Sequence, residues 1–179
     1  MGFLAYCLVA LVYWRPIWRF WRQRIAPDTG DPLFNLAVLD WVKRQIRLGL
    51  PDLYGADFFH PLADPLLLSD HLLGIAAQAL ALDQLTGGNA IATYNLLVFL
   101  AFPLSGIAAA AVGRAAGLSR LGAFTAGAVY AFAPYHWSQL SHLQVLSYQW
   151  IPPLLWSFDR LLVAPRPRRA MLFLLFYVL

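Results

Sequence analysis

The stretch Ala90–Val112, AIATYNLLVFLAFPLSGIAAAAV, runs 23 residues without a charge. As a helix it is about 34 Å long, enough to cross a hydrocarbon core roughly 30 Å thick. The rest of the chain has the same character: 60% apolar, 12% charged, with a mean hydropathy of +0.60. Soluble domains run at roughly 45–50% apolar and about 25% charged. These numbers predict an all-α protein, a polytopic transmembrane helical bundle.

Working outward, Val145–Val163 carries no charge until Asp159 and Arg160, near its end. Leu121–Ala133 is shorter and is extended by Leu118 and by the aromatic end at Tyr135 and Trp137. The first run, from Phe3, becomes arginine-studded at Arg15, Arg19, Arg22 and Arg24. The expected spans therefore lie near 3–20, 90–113, 119–136 and 145–163, with another starting near 170 and cut at 179. The opening MGFLAYCLVALVYW lacks a basic leader and a small-residue cleavage site, so it reads as a retained helix and not a signal peptide. The closing MLFLLFYVL is too short to span, which reads as the N-terminal part of a longer protein, with a short interfacial tail as the alternative.

Composition also excludes function classes. The net charge of +4 comes from arginines beside apolar runs, with no basic stripe interleaved with aromatics, which argues against nucleic-acid binding. Cys7 is the single cysteine, so neither an internal disulfide nor a cysteine metal cluster is available. No Gly-rich phosphate loop, Ser-His-Asp order or zincin motif is present.

Between the first run and Ala90 lies a segment of different chemistry, spanning approximately residues 25–88. Of the nine acidic residues in the chain, seven fall between Pro27 and His71. Pro32–Leu48 reads as an amphipathic helix lying in the interface, with Asp40, Lys43, Arg44 and Arg47 on one side and Phe34, Val38, Trp41, Val42 and Ile46 toward the other. Asp70–Leu85 is apolar but short, and is broken by Gln78 and Asp83.

Loop arginines orient the chain. Arg114 with Arg120, and Arg160 with Arg166, Arg168 and Arg169, belong inside by the positive-inside rule, which places Tyr135–Gln144 outside. If Asp70–Leu85 does not cross, the aspartate-rich segment shares that outer compartment, and Arg15–Arg24 then sit outside, against the rule. If it does cross, those arginines move inside and the two polar segments separate.

Asp28 and Asp31 flank Thr29–Gly30 at the exit from the first apolar run, where a carboxylate can serve as a general base or hold a cation facing an anionic substrate. The plain alternative for Asp31, followed by Pro32, is a helix N-cap, and for Asp28 a solvated turn. Ser69, Asp70 and His71 likewise read either as a cap with an acidic first turn or as phosphate contacts, the latter with a divalent cation as the one cofactor left open. His136, Gln139 and His142 recur every three residues, so a helix would put them on one face, suited to hydrogen bonding phosphate or sugar hydroxyls or to simple interfacial anchoring. No metal ligand set is legible there. Asn95 and Gln149, polar within spans, are expected to bond neighbouring helices.

The GDPLFN run, FFHPLADPLLLSDHLLG, LTGGNAIATYNLLVFLAFPLSG and FAPYHWSQLSHLQVLSYQWIPPLLW together resemble the integral-membrane glycosyltransferases of the GT-C fold, which include protein mannosyltransferases and aminoarabinose transferases. The pieces cover most of residues 28–160. The resemblance implies a first helix, a large extracytoplasmic loop with juxtamembrane helices, and residence in a bacterial inner membrane. It further implies inverting sugar transfer from a polyprenyl-phosphate donor, with a first-loop aspartate as base. The matching positions are Asp31 and, second, Asp28. Asp70 and His71 match the second polar motif of the loop, and His142 with Gln144 match the HLQ motif, all as substrate contacts. His136 stands in that same group where many relatives carry Arg, and the later helices and C-terminal domain of the family are missing. The competing readings are a transporter or flippase component, whose polar residues line a path across the bilayer, and a non-catalytic assembly subunit.

Overall fold

The computed structural model describes residues 2–26 and 28–179. They form helices α1 (Gly2–Tyr13), α2 (Arg15–Trp18), α3 (Asp31–Leu48), α4 (Leu73–Thr86), α5 (Ala90–Ala115), α6 (Arg120–Ala131), α7 (Pro134–Ser138), α8 (Leu143–Leu146), α9 (Ile151–Val163) and α10 (Pro167–Val178), with no strand among the described residues. Among those residues α5 alone is long and apolar enough to cross a membrane, and it runs unbroken through Pro103.

The other expected spans are divided. The run near 3–20 is split at Trp14, where α1 ends and Pro16 sits in the first turn of α2. The run near 119–136 stops at Ala131, because Pro134 lacks an amide hydrogen and starts a new helix. The run near 145–163 is a 3-10 turn at Tyr148–Trp150 followed by α9, with Pro152 in its first turn. In α1, α6 and α9, apolar composition extends further than helical continuity does.

The chain divides into two compact units. One comprises the chain up to Arg19, Val98–Leu140 and Val145–Leu179. Its packing centres on Tyr6, which is fully buried, donates from its hydroxyl to the Phe124 carbonyl at 2.9 Å and stacks on the Phe124 ring at 5.1 Å. Two glycines make room for it. A Cβ on Gly106 would lie 2.8 Å from the Tyr6 ring, and one on Gly127 would collide with the Gly106 carbonyl and the Tyr6 hydroxyl. Phe102 packs against Phe132, Trp137 and Tyr148, and α9 packs on α10.

The other unit comprises Phe20–Leu97 with Ser141–Gln144, and is built on α3 packed against α4. The expected amphipathic helix is present as α3. It closes at Gly49, whose φ of +85° lets the Leu50 N–H reach back to the Gln45 carbonyl at 2.8 Å. Its faces differ from expectation at Lys43, which is buried. Its Nζ lies 3.1 Å from Asp83 of α4, whose carboxylate also accepts from Thr93 at 2.8 Å and Arg47 at 3.4 Å. Asp83, which looked from the sequence like a break in an apolar helix, compensates that buried charge.

α4 starts at Leu73, later than expected, so Ser69 and Asp70 do not cap it. The N-cap is Leu72, which makes no side-chain cap bond, and His71, one residue before it, accepts the Leu73 N–H on Nδ1 at 3.2 Å. At the other end of α4, Arg22 donates to the Thr86 carbonyl at 3.1 Å, and the Arg24 guanidinium lies over Phe20. Two of the arginines that strained the topology thus have structural partners within this unit.

Candidate active site

The site is assembled from the start of α3 and the short segment before α8, both in the second unit. Asp31 occupies the first position of α3, but the N-cap is Gly30 and makes no side-chain bond, so the Asp31 carboxylate is not consumed by capping. It faces His142 instead, with Nε2 to Oδ2 at 3.0 Å. Both side chains remain open to water, Asp31 at 60% and His142 at 41% exposure. With Asp31 ionised, the imidazole Nε2–H donates to it and holds the carboxylate in one orientation.

Asp28 is tied in parallel. One carboxylate oxygen accepts the Gly30 N–H at 2.8 Å, and the other accepts from the Ser141 hydroxyl. The Ser141 bond first, then the Gly30 N–H, hold the Asp28 carboxyl below the usual carboxylate range, with a smaller pull from His142. A third tie comes from Asn35, one turn into α3, whose amide donates to the Ser141 carbonyl at 3.3 Å. Asp28, Asp31 and Asn35 therefore all grip Ser141–His142. The polar neighbours of the buried Tyr94 include Asn35, Asp28 and Asp31.

Asn95 fixes the approach to this turn. Its side-chain oxygen accepts the Ala26 N–H at 3.0 Å, and its amide donates to the carbonyls of Trp21 and Arg24, each at 2.8 Å. Asn95 was expected to join two helices. It pins irregular backbone instead, because residues 20–26 have carbonyls and amides that no helix satisfies.

The remaining expected contacts are distributed differently. Asp70 is exposed, and no hydrogen bond or ion pair among the described residues joins it or His71 to Asp28, Asp31 or His142. The His71 ring packs edge-on against Tyr54. Gln144 belongs to the same short segment as Ser141 and His142, and its side-chain oxygen is buried without a partner. His136 belongs to the first unit, where its ring is buried and stacked on Tyr148 at 3.4 Å. The shared helical face expected for His136, Gln139 and His142 is not formed, since α7 ends at Ser138 and α8 begins at Leu143.

Comparison with known proteins finds no matching family model, no matching curated protein and no matching solved structure. The chemistry must be argued from the residues themselves. Two exposed carboxylates three residues apart, one oriented by an imidazole and one held ionised by hydrogen bonds, make a proton acceptor beside a fixed negative charge. Among the described residues no group of three or more His, Cys, Asp or Glu side chains is arranged to hold a metal ion. Ser141 and Asn35 are the members that sequence reasoning missed. Ser141 was signalled only by its place beside His142, and Asn35 by being a polar residue on the inner face of an amphipathic helix.

Proposed function

We propose that this chain is part of a polytopic membrane glycosyltransferase that moves a sugar from a polyprenyl-phosphate donor to an acceptor hydroxyl on the extracytoplasmic face. The observation that carries the reading is the 3.0 Å Asp31–His142 pair, open to water and built from two segments that the resemblance had assigned separately to the site. In this mechanism Asp31 accepts the proton of the acceptor hydroxyl as its oxygen attacks the anomeric carbon from the face opposite the phosphate. The bond from that carbon to the phosphate oxygen breaks, the lipid phosphate leaves with the electron pair, and the configuration inverts. His142 donates to Asp31 throughout and keeps the accepting oxygen aimed. Asp28 remains ionised and fixes Ser141, hence the position of His142.

The full-length protein, supplied with a polyprenyl-phosphate sugar, tests this. Asp31→Asn should lose roughly 10²- to 10⁴-fold in transfer rate, the range for a general base, with acceptor binding retained. Undiminished turnover in both Asp31→Asn and Asp28→Asn would remove the reading.

A further inference from the structure

A cleft lies between α9 and α10, lined by Trp156, Ser157, Arg160, Arg169 and Leu172. We propose that it binds the phosphate of an anionic membrane lipid. Its volume is about 200 Å³, room for a phosphate group with part of a glycerol.

Three observations favour that occupant. The first is charge. The sequence from 159 to 169 holds four arginines, Arg160, Arg166, Arg168 and Arg169, against one acid, Asp159; Arg160 and Arg169 line the cleft, and among the described residues none of the four forms an ion pair. The second is preorganisation. Nη1 of Arg169 donates to the carbonyls of Arg160 and Ala164, which anchors the guanidinium while its Nη2 and Nε make no bond among the described residues. Arg160 lies over the Trp156 ring at 5.6 Å, and the Trp156 indole N–H is buried without an acceptor. A guanidinium fork held in place loses little freedom on closing around phosphate oxygens. The third is the lining itself. Trp156 and Leu172 flank the arginines in the cleft, so a bound headgroup would set its glycerol and the start of its acyl chains against apolar surface. A free phosphate would leave that surface in water.

The inference rests on the membrane part of the reading above and not on sugar transfer. Full-chain protein in mild detergent, titrated with short-chain phosphatidylglycerol or phosphatidylcholine and read by native mass spectrometry, tests it. Phosphatidylglycerol should bind about five- to tenfold tighter. Arg160→Gln should remove most of that preference, while Arg168→Gln, which lies outside the cleft, should retain it. Because Arg169 also caps α9, Arg160 is the diagnostic position. Equal affinity for the two lipids, or equal losses in Arg160→Gln and Arg168→Gln, would overturn the site. Displacement of the lipid by millimolar inorganic phosphate would overturn the lipid assignment in favour of a free anion. Flotation with phosphatidylcholine vesicles separates the two levels: protein that fails to float removes the membrane reading, and protein that floats without lipid preference removes only this site.

Discussion

At Asp28 the direction of the pH response follows from its partners. Its carboxyl titrates below the ordinary value near 3.8 because the Ser141 hydroxyl and the Gly30 N–H bond to the ionised form. A folded pKa below the unfolded one gives stability that is present above the ordinary value and lost as pH falls through the lower, folded value. The tie to Ser141 should therefore hold at neutral pH and weaken only in acid below about pH 4. Thermal melting across pH 3–6 should show an acid-side decline that is shallower in Asp28→Asn; identical slopes would mean that the bond contributes nothing. His142→Gln offers a separate handle on the site. An amide can still donate to Asp31, so it should retain more turnover than His142→Ala, and equal losses would show that orienting Asp31 is not what His142 does. Sequence reasoning found Asp28, Asp31 and His142 because carboxylates and imidazoles are rare in an apolar chain. It missed Ser141 and Asn35 because small polar residues carry no such contrast, and their roles depend on which segment folds against them.

Among the elements, the α3–α4 pair depends on one charge compensation. Lys43 and Asp83 are each only 7% exposed, so removing Asp83 leaves the Lys43 ammonium buried without its counter-ion, whereas Asp83 without Lys43 would keep Arg47 and Thr93. Asp83→Asn should cost about 3–5 kcal/mol in denaturant or thermal unfolding, and Lys43→Met combined with Asp83→Leu should cost less than that single change. A double variant as damaged as the sum of the singles would contradict the pairing. Asn95→Ala releases three backbone groups of residues 20–26. It should cost about 1–3 kcal/mol and loosen the approach to Asp28, seen as faster hydrogen exchange there. The amphipathic period of α3 was legible in the sequence to within one residue, because Gly49 and Pro32 mark its ends. The burial of Lys43 was not, since a local period says nothing about an acid arriving from α4. The divided runs near Pro16, Pro134 and Pro152 show the same limit: hydropathy reports burial in lipid or protein alike and does not say which prolines interrupt a helix, since α5 continues through Pro103.

For the whole molecule, the helical character was legible from composition, and a spanning length is met by α5. In the first unit, Tyr6 fills a notch made by Gly106 and Gly127 from chain segments about a hundred residues apart, a closure no local pattern announces. Gly127→Val should lower the melting temperature through overpacking worth roughly 1–3 kcal/mol, and an unchanged melting curve would argue against that close approach. Order of synthesis adds a constraint of another kind. Asp28 leaves the ribosome 113 residues ahead of Ser141, a gap of roughly 6 to 23 seconds at ~5–20 residues per second. Throughout that interval the aspartate turn has neither Ser141 nor His142 to hold it, and for the first part of it no Asn95 either. The carboxylates are made early and positioned late, so a nascent chain carries Asp28 and Asp31 without their Ser141 and His142 partners until the segment before α8 has emerged.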